Sequence, residues 1–71
     1  MNAIEERINH QMQVRGIQAE VQFMYDEIVC FTPNAQMAKE ANEILQMTGN
    51  LTVLTTDVDA ETGTHATFYA I

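Results

Sequence analysis

The first apolar residues of the chain recur at intervals of three and four, which predicts an amphipathic helix from Ala3 to Arg15. These residues are Met1, Ile4, Ile8 and Met12. Asn2 and Glu5 have the spacing of a capping box, in which each side chain satisfies a free backbone N–H group. Gly16 supplies a residue that adopts the left-handed conformation at a helix end with little steric cost.

From Ile17 the apolar residues alternate with polar ones up to Tyr25, which predicts a strand with one buried face. Val21 and Phe23 lie on the apolar side of this alternation. Asp26 and Glu27 interrupt the pattern, and β-branched and aromatic residues resume it over 28–31. We therefore expect a hairpin that turns at Asp26-Glu27, with a loop type that the sequence leaves open because Asn-Gly and Asp-Gly are absent.

A second helix is predicted to begin at Thr32-Pro33, since threonine caps free N–H groups and proline suits the first helical position. Gly49 is predicted to end it. The apolar face of this helix consists of Met37, Ala38, Ala41, Ile44, Leu45 and Thr48.

The remaining sequence predicts a second hairpin, with strands at Leu51–Val58 and His65–Ile71 joined by a polar segment over 59–64. The complete order is α-β-β-α-β-β within a single domain over residues 1–71. Two amphipathic helices must bury their apolar faces, and a four-stranded antiparallel sheet covered by both helices on one face is the simplest solution. The predicted fold is therefore a two-layer α+β domain.

Three of the four predicted strands have apolar residues on both sides, so some apolar side chains are left on the sheet face that no helix covers. The residues selected for an interface on this basis are Val29, Phe31, Leu54 and Phe68. Contiguous exposed apolar surface marks interaction sites in small proteins. A homodimer, through sheet faces or sheet edges, is the expected use of this surface, and binding of a foreign protein is the competing use.

The net charge of the chain limits the classes of partner that it is expected to bind. Ten acidic residues face three basic ones, which gives a formal net charge of −7. That field repels a nucleic-acid backbone and an anionic membrane, so neither is expected as a direct ligand. The single cysteine, together with the lack of a signal-peptide pattern or a membrane-length apolar run, predicts a cytoplasmic protein.

Three arrangements that could carry chemistry are rejected, two because of their spacing and one because of its structural setting. Asp57, Asp59 and Glu61 resemble the start of a calcium loop, but the sixth and twelfth positions hold Thr62 and Phe68 where glycine and glutamate are needed. His10, His65 and Cys30 lie too far apart in sequence for a usual zinc site. Cys30 lies within a strand and not in a setting that activates a thiol. We predict no catalytic residues, no metal and no cofactor, and hence no enzyme.

The remaining candidate is an acidic face formed by Asp26, Glu27, Asp57, Asp59 and Glu61. Such a face solubilises the domain, or it steers a basic protein toward it by presenting the charge of a nucleic acid. The leading hypothesis is a small acidic protein-binding module that inhibits a nucleic-acid-acting or defence protein, in the manner of phage accessory proteins. The alternatives are a homo-oligomeric structural subunit, and a small enzyme or ligand-binding domain with its site between subunits.

Overall fold

The computed structural model describes residues 3–70, which form two helices and a four-stranded antiparallel sheet. The elements are α1 (Ala3–Val14), β1 (Glu20–Phe23), β2 (Glu27–Thr32), α2 (Ala35–Met47), β3 (Thr52–Val58) and β4 (His65–Ala70). The strand order is β1-β2-β4-β3, so β2 and β4 lie in the centre and β1 and β3 form the edges. The predicted α+β class and element order are confirmed.

Helix α1 ends as the sequence predicts, because Gly16 adopts a φ of 67° directly after the last turn. Ile8 and Met12 of its apolar stripe are buried, and Ile4 is 38% exposed. Met1, Asn2 and Ile71 lie outside the described residues, and with them the predicted capping box and the last position of the predicted fourth strand.

The first hairpin has a shorter edge strand than the alternation predicts. Ile17 is buried but precedes the strand, and Tyr25 lies in the turn with its side chain fully exposed. The backbone N–H of Met24 donates to the carbonyl of Glu27 at 2.9 Å, which closes a turn with Tyr25 and Asp26 at its tip. The extension of β1 to Tyr25 was therefore wrong, because the turn takes the last residues of the alternating pattern.

The cap of helix α2 is Asn34 and not Thr32. The Asn34 Oδ1 atom accepts the backbone N–H of Met37 at 2.9 Å, whereas Thr32 is the last residue of β2. The physical reason is the sheet, because Thr32 is still paired with His65 of β4 and β2 therefore extends through the position where the cap was expected. The helix begins later, and the capping role passes to the next residue with a suitable side chain.

The other end of α2 also differs from the prediction. Asn50, with a φ of 54°, adopts the left-handed conformation that was expected of Gly49. Gly49 is buried, and a Cβ atom there would lie 2.8 Å from the carbonyl oxygen of Leu45 and 3.0 Å from Cδ1 of Ile8. Glycine is needed at this position because a side chain would clash with the last turn of α2 and with Ile8 of α1, and not because of a positive φ.

Both helices lie on the same face of the sheet. Helix α2 packs over the central strands β2 and β4, and α1 packs against α2. From the sheet, Ile28, Cys30 and Tyr69 enter the same buried cluster as the helix residues. The remaining members of the cluster are Ile8, Met12, Ile17, Ala41, Ile44, Leu45 and Leu51. The Tyr69 hydroxyl donates to Asn42 Oδ1 at 2.8 Å and fixes α2 to the centre of the sheet.

Strand β3 receives little cover from either helix. Its register with β4 shifts between Val53 and Thr55, so Leu54 has no Cα partner on β4. Val53 packs against the core, and the other six residues of the strand are exposed. Neither helix of the described chain is long and apolar enough to cross a membrane.

Candidate functional site

The sheet face opposite the helices, here called the outer face, has an apolar centre and polar edges. In one row across the sheet, Gln22, Val29, Phe68 and Thr55 are partners from β1 to β3. The parallel row toward the second hairpin loop consists of Glu20, Phe31, Ala66 and Asp57. In both rows the central strands contribute the apolar residues and the edge strands contribute the polar ones.

Alternation along the central strands extends this apolar centre to Ala70, which is the partner of Glu27. We call the five residues Val29, Phe31, Ala66, Phe68 and Ala70 the outer strip. Four of them are half-buried, and Val29 is only 3% exposed. Val29 nevertheless does not belong to the core cluster, because it points to the face of β2 opposite Ile28 and Cys30.

Three of the four residues selected for an interface from the sequence therefore lie together. Val29 and Phe68 are direct cross-strand partners, and Phe31 is two residues from Val29 along β2. Leu54 is separated from them, because the register shift in β3 changes the phase of the strand at that point. It is 57% exposed at the edge of the sheet. The interface role of all four residues stays a prediction.

The structure divides the predicted acidic face into two groups. Asp26 and Glu27 lie at the turn of the first hairpin, whereas Asp57, Asp59 and Glu61 lie near the loop of the second. Glu27 is the partner of Ala70 and Asp57 is the partner of Ala66. These positions are four residues apart along β4, which corresponds to about 13 Å. The outer strip runs between the two acidic groups.

Asp59 has a local structural role. Its Oδ1 atom accepts the backbone N–H groups of Glu61 at 2.8 Å and Thr62 at 3.3 Å, as in an Asx turn. Its backbone N–H donates to Thr64 and its carbonyl accepts from Gly63, which closes the loop between β3 and β4. A substitution at Asp59 would therefore disturb the loop, so Asp57 and Glu61 are the better positions at which to test charge.

Charge is unevenly distributed between the two layers. The three basic residues, Arg7, Arg15 and Lys39, lie in the helices or directly after α1, where four acidic residues accompany them. The other six acidic residues lie in the strands and hairpins of the described chain: Glu20, Asp26, Glu27, Asp57, Asp59 and Glu61. Nearly all of the net charge of −7 is thus carried by the sheet layer.

Phe31 connects the outer strip to one acidic group. A shallow depression beside it is lined by Asp57, Asp59 and Ala66, with Val58, Thr62 and Thr64 completing the wall. An aromatic side chain next to carboxylates suits a guanidinium or ammonium group on a partly apolar stem.

The site predicted from the sequence lacked three residues of this surface: Ala66, Ala70 and Glu20. The alternation in β4 indicates Ala70, whereas the place of Glu20 depends on pairing between strands that the sequence does not fix.

Cys30 is packed in the core and is 2% exposed. Burial raises the pKa of its thiol from 9.0 to about 11, so the thiol is protonated at neutral pH and is a poor nucleophile. Burial likewise raises the pKa of the Tyr69 hydroxyl well above its usual range.

His65 Nδ1 donates to the carbonyl of Gly63 at 2.9 Å and belongs to the second hairpin. Within residues 3–70, no three His, Cys, Asp or Glu side chains are grouped to hold a metal ion.

Comparisons with protein-family models, with curated proteins and with solved structures gave no match for this chain.

Proposed function

We propose that this chain is a protein-binding module that docks a partner on the outer face of its sheet. The single observation that carries the proposal is the position of the outer strip, which lies on the face without helices and between two groups of carboxylates. Interfaces commonly combine an apolar centre with a polar rim that excludes water from it. The outer face has both parts on one small domain.

The charge of the sheet layer defines the partner's surface. A partner with an apolar patch bordered by lysine or arginine pairs its cations with Asp57 and Glu61 at one end and with Asp26 and Glu27 at the other. Charge of opposite sign accelerates encounter and orients the two surfaces. In the depression beside Phe31, an arginine of the partner stacks on the ring and pairs with Asp57.

The same charges disfavour stacking of two copies through their outer faces. Such a dimer brings two acidic rims together without a basic residue on either sheet layer, and like charges across an interface cost binding energy. Basic proteins that act on nucleic acids present the opposite charge, so inhibition of such a protein is the specific form of this proposal. It is supported by the sign and the location of the charge.

Affinity capture from a native host lysate tests the proposal. Immobilised wild-type protein should retain a partner at low salt and release it as salt is raised, because salt screens charges at a rim. Ala66→Lys places a cation in the centre of the outer strip and should abolish capture. Val14→Lys is the matched control, since Val14 is 66% exposed on α1 and lies away from the sheet.

Both variants add the same charge, so a loss of capture specific to Ala66→Lys assigns docking to the outer face. Thermal unfolding of both variants shows whether the fold is retained. Equal capture by the two variants, with the fold intact, would contradict docking on the outer face. A partner retained equally at low and high salt would contradict the role of the acidic groups.

A further inference from the structure

A cavity of about 270 Å³ opens between the first turn of α1 and the turn of the first hairpin. Its floor is formed by Ile28 and Leu51, which are buried members of the core cluster. Phe23, the partner of Ile28 on β1, forms part of its wall, so the cavity lies on the helix side of the sheet. A dry apolar cavity of about 150 Å³ already accommodates benzene, and this cavity therefore has room for one large apolar side chain.

Exposed apolar side chains are grouped at the mouth of this cavity. Within residues 3–70, seven large apolar side chains are exposed, and Ile4, Met24 and Tyr25 of these seven line the cavity. The other four lie on α1, α2 and β3, and none of them lines it: Val14, Met47, Leu54 and Val58. Grouped exposed apolar residues mark interaction sites, whereas single ones need no explanation.

Tyr25 contributes little to the fold that would account for its position. It lies at the tip of the first hairpin with its side chain fully exposed, so it buries no apolar surface there. Tight turns favour glycine, proline, asparagine, aspartate and serine, which supply the turn conformation that tyrosine does not. Tyrosine is one of the residues that carry the most binding energy when a partner covers them.

Charge at the border of the cavity indicates the chemistry of its occupant. Glu5 is part of the wall, and Asp26 follows Tyr25 in the turn. No lysine or arginine of the described chain lines the cavity. An apolar cavity bordered by carboxylates and by an aromatic ring favours an apolar group that has a cation beside it. A second copy of this chain is disfavoured, because each copy has a net charge of −7.

We propose that this cavity binds a phenylalanine side chain of a partner segment in which lysine or arginine flanks that residue. The phenyl ring enters the cavity above Ile28 and Leu51. The flanking cation lies against the ring of Tyr25 and pairs with the carboxylate of Asp26. This site does not rest on the outer strip, which lies on the opposite face of the sheet, and it gives the domain a second point of contact with a basic protein.

Three tripeptides, each acetylated and amidated at its ends, test the site by methyl NMR of the labelled chain. Lys-Phe-Lys should shift the methyl signals of Ile4, Met24 and Ile28 with a dissociation constant in the millimolar range. Lys-Ala-Lys lacks the apolar anchor and Glu-Phe-Glu has the wrong charge, so each should bind at least about fivefold more weakly. Equal binding of the three peptides, or unchanged signals up to the solubility limit of Lys-Phe-Lys, overturns the proposal.

Two exposed positions supply a variant and its matched control. Tyr25→Ala removes an aromatic side chain from the cavity mouth and should weaken Lys-Phe-Lys binding at least about threefold. Met47→Ala removes an exposed apolar side chain from the end of α2, away from the cavity, and should leave binding unchanged. Thermal unfolding checks that both variants retain the fold. Equal affinity of the two variants overturns the proposal.

Ala66→Lys separates this site from the outer strip. It should leave the affinity for Lys-Phe-Lys nearly unchanged, because Ala66 lies on the sheet face opposite the cavity. If Ala66→Lys abolishes peptide binding and Tyr25→Ala does not, the peptide binds the outer face. That result overturns the cavity as the site and leaves docking on the outer face standing.

Discussion

Both faces of the sheet have apolar residues, but the two helices cover only one of these faces. Ile28 and Val29 are neighbours on β2, and each is 3% exposed. Ile28 packs in the core cluster beneath the helices, whereas Val29 lies on the outer face and is not a member of that cluster. A low exposed fraction therefore does not by itself place a residue in the core, and a face can look buried while it stays available to a partner.

Truncation of Ile28 and of Val29 to alanine should show the largest difference in unfolding free energy between the two faces of the sheet. Ile28→Ala removes side-chain atoms from a tightly packed cluster and should lower the free energy of unfolding by about 2–5 kcal/mol. Val29→Ala should cost about 1–2 kcal/mol, because it loses apolar burial without leaving an enclosed cavity. Chemical denaturation measures both values. Equal losses would show that the outer face is packed as firmly as the core.

The close packing of Gly49 against the last turn of α2 and Ile8 of α1 should be the next most sensitive feature. Gly49→Ala forces a methyl group against the carbonyl of Leu45 and the side chain of Ile8, and should cost about 1–3 kcal/mol. Gly16→Ala is a useful control, because a Cβ atom at Gly16 meets no atom within 4 Å and strains only the backbone at positive φ. It should cost about 1 kcal/mol. Denaturation curves that rank the two variants in reverse would contradict close helix packing at Gly49.

The hydrogen bond between the sheet and α2 should make a smaller contribution. Tyr69→Phe removes the donor to Asn42 and should lower the free energy of unfolding by about 1 kcal/mol, since the Asn42 oxygen then loses its partner. Asn42→Ala in the Tyr69→Phe background should have a smaller effect than in the wild type. Additive losses in this double-mutant cycle would show that the two side chains are not coupled.

At neutral pH the buried thiol should have no effect on the pH dependence of stability, and an effect should appear only in alkali. The folded pKa of Cys30 is about 11, above the ordinary value of 9.0, so the unfolded chain releases the thiol proton first as pH rises. Stability should be unaffected by this group below pH 9 and should fall between pH 9 and 11. Cys30→Ala should reduce that loss in denaturation series, and an unchanged alkaline slope would contradict it.

The sequence predicts the element order and the core side of each helix because periodicity depends on local spacing. It misplaces the α2 cap, since Thr32 and Asn34 are both good capping residues and only the pairing of Thr32 with His65 of β4 decides between them. It misassigns Gly49 because close helix contact and positive φ both favour glycine. The outer strip was predicted in part: Val29, Phe31 and Phe68 follow alternation, but the bulge at Leu54 arises from pairing with β4, which no local pattern reveals.

Methyl NMR of the labelled chain, titrated with the captured and purified partner, tests the outer-face account most directly. The account predicts changes at the methyl groups of Val29, Ala66 and Ala70, while those of Val14 and Met47 on the helices stay unchanged. Val14 and Met47 are among the most exposed apolar residues, so they would respond to docking on the helix side. Changes confined to Val14 and Met47, with the outer strip unaffected, would contradict the assignment of the outer face as the binding surface.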